Sequence, residues 1–227
     1  MSDVAPRELV VVGDSLFAEI AHEYFEHDSP HQVVAFSVER EHRNRNRFRG
    51  LPVVPFEDLA SELDPSRHSV FVALTYGQLN RVRTRLLDEA SAKGFHPASY
   101  VSSRASVWPN VRLGEHCVIF EDNTLQPFVS VGRNCVLWSG NHIGHHSSIE
   151  DNVFIASHAV ISGSVRIGDN CFIGVNATIV DDVTVGADSW IGPSVIVTRD
   201  VEGNSIWRAV RSERRSVSSR EAFKVTE

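Results

Sequence analysis

Cysteine is scarce: three residues in 227, an odd number with no Cys-x-x-Cys spacing, so neither a disulfide framework nor a structural zinc site is expected. That usage fits a reducing compartment, and the cytoplasm is the expected location. Apolar runs of the roughly 18 residues needed to cross a bilayer are missing. The opening stretch MSDVAPRELVVVGDS has no basic region followed by a long apolar segment, so nothing there reads as a leader or an anchor. Positive charge is also in deficit. With 22 Lys and Arg against 29 Asp and Glu, the net charge of -7 and pI of 5.9 oppose broad binding to nucleic acid or to an anionic membrane. What is present is a 42% hydrophobic content, enough for a real core in one or two domains.

Two halves follow different grammars. In residues 1–100 the run ELVVVGDS is apolar and β-branched and ends at Gly13, LFAEIAHEYFEH carries apolar residues at helical spacing, and QVVAFSV reads as a second strand. LPVVPFEDLASEL and SVFVALTYGQLNRVRTRLLDEASAKGF continue the alternation, which predicts a small parallel sheet flanked by helices. Between QVVAFSV and LPVVPFEDLASEL, the stretch EREHRNRNRFRG holds arginines at 40, 43, 45, 47 and 49, either a solvated loop or one that contacts phosphate.

From Val101 to Val197 every sixth residue is Val, Leu or Ile without interruption, Ile143 and Ile149 among them. Two residues before these anchors stand small or β-branched residues, including all three cysteines, Cys117, Cys135 and Cys171; only Asn123 and Asn141 depart from that rule. An α-helix cannot keep this register, because six residues advance it by about 600°. Six-residue repeats form a parallel β-helix instead: each hexad is one side of a triangular coil, each anchor points inward, and residues 18 apart stack. The cysteines are then packing residues, and Asn123 and Asn141 an inward amide ladder. Glycines directly after anchors, such as Gly144 and Gly192, suit the corners. Residues 101–200 make the coil and 201–227 a tail.

The hexads, together with the α/β half, resemble one branch of the left-handed β-helix acyltransferases over residues 8 to 205. That branch comprises bacterial sugar acetyltransferases: the bacillosamine and perosamine N-acetyltransferases and the sialic acid O-acetyltransferase-like proteins. The resemblance implies a Rossmann-like α/β N-terminal domain followed by a left-handed β-helix, assembly as a homotrimer, acetyl-CoA as co-substrate and a nucleotide-linked amino sugar as acceptor, for surface polysaccharide. No metal is expected for the chemistry.

In these enzymes a histidine four residues before an anchor is the general base, a place taken here by His145 ahead of Ile149 in NHIGHHSSI. An amine attacks a thioester only after losing its proton, which an imidazole titrating near neutrality can accept and later release. The bacillosamine enzymes follow that histidine with a carboxylate; this chain has His146. Either His146 orients the base, or Glu121, Asp122, Glu150 or Asp151 approaches it in the trimer. Adjacent strand residues point to opposite faces, so His145 and His146 are not expected to share a metal ion. His142 should point outward, either lining the acceptor groove or simply exposed, and His116 should be exposed at an early corner.

By position in the family, His158, Val175, Gly192 and Pro193 would contact the coenzyme, and Gly13, Asp14, Ser15 and Glu39, with Asn141 and His142, the acceptor. Leu16 and Phe17 replace a glycine and a histidine of the family's glycine-rich turn, and Glu39 stands where relatives carry paired aspartates. In the tail, Arg208, Arg211, Arg214 and Arg215 either meet coenzyme phosphates or form a free basic segment. A hydroxyl acceptor on the same fold, or a β-helix binding module without catalysis, are the alternatives.

Overall fold

The computed structural model describes residues 8–210 and 213–226. The N-terminal domain runs β1 (Glu8–Val12), α1 (Leu16–Asp28), β2 (Gln32–Val38), β3 (Arg47–Phe48), β4 (Leu51–Pro55), α2 (Leu59–Glu62), β5 (His68–Val72), α3 (Arg81–Ala92) and β6 (His96–Pro97). Its sheet has the order β3-β4-β2-β1-β5-β6, parallel except for the β3–β4 hairpin. The predicted strands and helices form where the periodicity put them. Central strand β1 is buried on both faces, as an unbroken Leu-Val-Val-Val run requires.

Strand pairs Tyr100–Val101, Val118–Ile119, Val136–Leu137 and onward stack in parallel and in register at 18-residue steps, forming the first face of a triangular coil. A second face runs from Ser106–Val107 to Ile196–Val197 and a third from Arg112–Leu113 to Thr184–Val185. Anchors from Ile119 to Val197 are buried, and all three cysteines lie at 0% exposure inside. The first turn differs: Val101 and Leu113 are 40% and 36% exposed, because no coil precedes them. At the other end, Ile206–Trp207 pairs with Trp190–Ile191 after a 16-residue step, so the coil runs past residue 200 although the hexad has ended.

Corners are made differently from expectation. From His116 onward the residue three before each anchor is left-handed: His116, Asp122, Asn134, His146, Asn152, His158, Ser164 and their successors have φ of 56–62°. Short polar side chains tolerate this conformation. The glycines after anchors have ordinary φ and serve close approach instead; a Cβ on Gly144 would collide with the backbone of Ser162 one coil on.

The N-terminal domain sits on the first face. Outward residues Tyr100, Val118, Val136, Phe154 and Phe172 share one apolar cluster with Phe17, Ala21, Phe25 and Phe71. Asp28 at the end of α1 accepts from Tyr100 Oη (2.7 Å) and Ser103 N (2.9 Å), and these bonds hold its carboxyl at about 2. On one flanking corner, fully buried Arg83 donates to the carbonyls of Val72 (3.1 Å) and Asn134 (2.6 Å), and burial lowers its pKa to about 10. His116 is buried there at 0% exposure, correcting the expectation of an exposed histidine: its Nε2 accepts from Val72 N (2.9 Å) and its Nδ1 meets Asn134 Oδ1 (2.9 Å). Burial beside the Arg83 cation holds this ring neutral.

Candidate active site on the coil

His145 and His146 stand on the corner joining the second face (His142–Ile143) to the third (Ser148–Ile149), and both are exposed. They belong to a turn rather than a strand, so the opposite-faces expectation fails: their Nδ1 atoms meet at 3.2 Å. The backbone N–H of His145 donates to Gln126 Oε1 at 2.9 Å. Its ring lies over Gly163, where a Cβ would come within 2.6 Å of Cε1. One coil earlier on the same corner, Phe128 stacks on His146 with ring centroids 4.6 Å apart.

Within the chain, the four carboxylates considered as partners of His145 are engaged elsewhere. Glu121 accepts from Tyr24 Oη (2.6 Å) and Ser139 Oγ (2.7 Å), which lower its pKa against the upward push of burial. Asp122 pairs with Arg104 (3.2 Å), Glu150 with Arg166 (3.2 Å), and Asp151 accepts from Arg133 N (2.8 Å). Among the described residues, no group of three or more His, Cys, Asp and Glu could hold a metal ion.

His142 projects outward from the second face, half-buried between Thr124 and Val160 of the adjoining coils. Asn141 does the reverse. It is 1% exposed inside the coil, with Nδ2 on the Trp138 carbonyl and Oδ1 accepting from Ala159 N at 2.8 Å. It is therefore corrected from an acceptor contact to a structural amide. Asn123 likewise bonds backbone, the Phe120 and Trp138 carbonyls, so both amides serve the coil's carbonyls in place of a mutual ladder.

The coenzyme candidates gather at the other edge of the second face. Val175 and Pro193 stack at an 18-residue step on the corner between the first and second faces, His158 stands on the same corner one coil earlier and one residue further along, and Gly192, buried, precedes Pro193. The exposed His158 ring rests on Gly140, where a Cβ would meet Nδ1 at 2.5 Å. The second face thus spans from the His158 corner to the His145 corner, with His142 between.

Gly13, Asp14, Ser15 and Glu39 line one cavity of about 210 Å³ with Ser37, His42 and Leu74. Gly13 takes φ of +120° while its N–H donates to Ser37 O at 2.7 Å, a conformation that glycine alone adopts freely. Glu39 is held by Arg85 (3.0 Å) and Asp14 by Arg45 (3.1 Å). Ser37 was missed by sequence reasoning, since a serine inside a strand carries no pattern; its hydroxyl is buried there without a hydrogen-bond partner among the described residues. The wall is made by the N-terminal domain alone. Because that domain packs on the first face, whereas His145 stands on the corner joining the other two faces, the cavity and His145 of one chain lie on different sides of the prism.

The arginine-rich loop is occupied with itself and its neighbours. Arg40 pairs with Asp58 (2.7 Å), Arg43 with Asn46 (2.8 Å) and the Val53 carbonyl, and Arg49 with Glu19 and Glu23, leaving Arg47 exposed. Arg208, Arg214 and Arg215 are exposed, and Arg211 lies outside the described residues.

An α/β domain docked on one face of a hexapeptide-repeat coil, with paired histidines on the far corner, defines a class of two-domain β-helix proteins. More particularly, residues 128–163 and 164–201 match the family model "bacterial transferase hexapeptide (six repeats)", a match confined to the coil. Among solved structures the chain is similar to a histidine-to-asparagine variant of perosamine N-acetyltransferase from Caulobacter crescentus in complex with CoA and GDP-perosamine. That likeness has 24% identity and a TM-score of 0.79 and covers 88% of this chain and 92% of the other. The acetyltransferase domain of PglB from Neisseria gonorrhoeae FA1090, in complex with acetyl coenzyme A, is 22% identical over 87% of this chain and 93% of its own, with a TM-score of 0.60. WeeI from Acinetobacter baumannii AYE is 22% identical over 87% and 97%, with a TM-score of 0.54. No curated protein matches the sequence. The fold is accordingly a Rossmann-like α/β domain followed by a left-handed parallel β-helix of hexapeptide repeats.

Proposed function

We propose that the protein is an acetyl-CoA-dependent N-acetyltransferase acting on a nucleotide-linked amino sugar, in the cytoplasm, for surface polysaccharide. The observation that carries this reading is His145: an exposed imidazole at the edge of an open coil face, its Nδ1 meeting that of His146, in a fold shared over most of the chain with perosamine N-acetyltransferase and the acetyltransferase domain of PglB. One of those relatives was solved with CoA and GDP-perosamine together, and with its histidine replaced.

In this reading acetyl-CoA lies along the second face, between the corner that carries His158, Val175 and Pro193 and the corner of His145. The sugar amine attacks the thioester carbonyl carbon, His145 Nε2 takes the amine proton, the C–S bond breaks, and the proton passes to the departing thiolate. No acyl-enzyme forms. The nucleotide occupies the Gly13–Asp14–Ser15–Glu39 cavity. Since that cavity and His145 lie on different sides of one prism, a homotrimer, in which one chain's cavity faces its neighbour's His145, accounts for both.

The test is thiol release from acetyl-CoA over a panel of nucleotide-linked amino sugars. Release with an amino sugar, and an amide in the product, is expected. Release only with hydroxyl sugars would replace the amine acceptor by a hydroxyl, and failure of CoA to bind would leave a binding module.

A further inference from the structure

Phe128 is out of place. It holds the corner position that elsewhere belongs to Asn, Asp, His, Ser or Gly, with φ of 67° and 58% of its surface exposed. A bulky side chain in the left-handed region is a conformational cost, and a hydrophobic ring left in water is a second one. What it gains is a stack: its plane lies 24° from that of His146 at 4.6 Å, and its own N–H is fixed by Asn110 Oδ1 at 3.0 Å. His146 in turn meets His145 Nδ1 to Nδ1 at 3.2 Å.

Two ring nitrogens at that distance form a hydrogen bond only if one of them carries the hydrogen. If His145 is to use Nε2 as a base, its hydrogen must be on Nδ1, and His146 Nδ1 must accept it. We propose that neutral His146, its ring held by Phe128, is the positioning residue of this corner, doing with an imidazole what a carboxylate would do for the base. This rests on reading His145 as the base.

The arrangement has a consequence that a carboxylate would not give. Once Nε2 of His145 is protonated, the shared hydrogen still occupies the lone pair of His146 Nδ1, so a second proton cannot enter the pair without breaking the bond. Among other charged groups, Arg166 on the third face pairs with Glu150 and Arg112 lies three coils before it; Asp181 turns its carboxylate back to accept from Gly163 N (2.9 Å), the glycine over which the His145 ring lies, so it faces that ring from the coils beyond, and Asp182 follows it. His142 stands on the second face of the same coil.

The experiment is an NMR titration of the histidine Cε1–H signals in the full-length protein, with signals assigned by replacement. The variants are His146→Ser and His146→Asp, residue types that already occupy this corner position at Ser164 and Asp182 with φ of 57° and 61°. His145 is expected to titrate at lower pH in His146→Ser, which removes the acceptor, and about one unit higher in His146→Asp, which supplies a carboxylate. Phe128→Asn should leave the coil folded and move His145 in the same direction as His146→Ser. An unchanged His145 midpoint in both His146 variants would overturn the proposal. The titration needs no acceptor, so it stands apart from thiol release: turnover retained in His145→Ala would sink the general-base reading, whereas an unmoved midpoint sinks only the role of His146.

Discussion

His116, His146 and His158 occupy the same place in the hexad, three residues before an anchor, with the same left-handed backbone, φ 57°, 62° and 60°. Their surroundings have nothing in common. His116 is sealed into a polar network under the N-terminal domain, while His146 stacks on an exposed aromatic and His158 lies open over Gly140. The hexad decides backbone and register, and the position within the 18-residue coil decides which corner a residue joins. One corner is glued to the α/β domain; the opposite one keeps its imidazoles in water. A histidine at a buried corner is held neutral by desolvation and by Arg83, and so has no protons to trade near neutrality.

This contrast can be broken from either side. The largest stability effect belongs to the glued corner: Arg83→Met leaves the carbonyls of Val72 and Asn134 without their donor and should destabilise the protein by about 2 to 3 kcal/mol, read as a lower denaturation midpoint. At the open corner the sign reverses. Phe128→Asn relieves a left-handed aromatic and should raise stability by about 1 kcal/mol while lowering turnover, because the ring beneath His146 is gone. A drop in both would mean that Phe128 serves packing alone.

The smallest effect concerns the seam between domain and coil. Asp28 has its pKa lowered from 3.8 to about 2, so its contribution is fully present above the ordinary value and disappears as pH falls through about 2. Asp28→Asn should therefore be less stable than wild type at neutral pH, with the gap closing between pH 3.8 and about 2. A gap independent of pH would assign the loss to geometry rather than charge.

The coil was the most legible part of the chain, because a six-residue period fixes both which residues face in and which ones stack. Its exceptions have physical reasons. Val101 and Leu113 obey the pattern yet are uncovered, since burial needs a preceding turn. Asn141 read as a possible acceptor contact, but an inward position is set by the count to Ile143, and the structure fills its amide with backbone partners. His116 was misplaced because hexad position says nothing of which corner the other domain covers. The meeting of His145 with His146 was hidden by treating a turn as strand. In the N-terminal domain Gly13, Asp14, Ser15 and Glu39 were brought together as expected, whereas Ser37 and the carboxylate partners of the arginine-rich loop depend on tertiary contacts that no local pattern encodes.

The most direct test of the contrast is to measure thermal unfolding and acetyl-CoA thiol release together in His145→Ala and His116→Ala, using the amino-sugar acceptor that gives fastest release with the wild type. His145→Ala should lose about 10² to 10⁴ in turnover at an unchanged Tm. His116→Ala, which strips the partner from Val72 N, should lower Tm while the folded fraction turns over normally. Near wild-type turnover in His145→Ala, or a loss of turnover in folded His116→Ala as large as that of His145→Ala, would contradict the assignment of chemistry to the open corner.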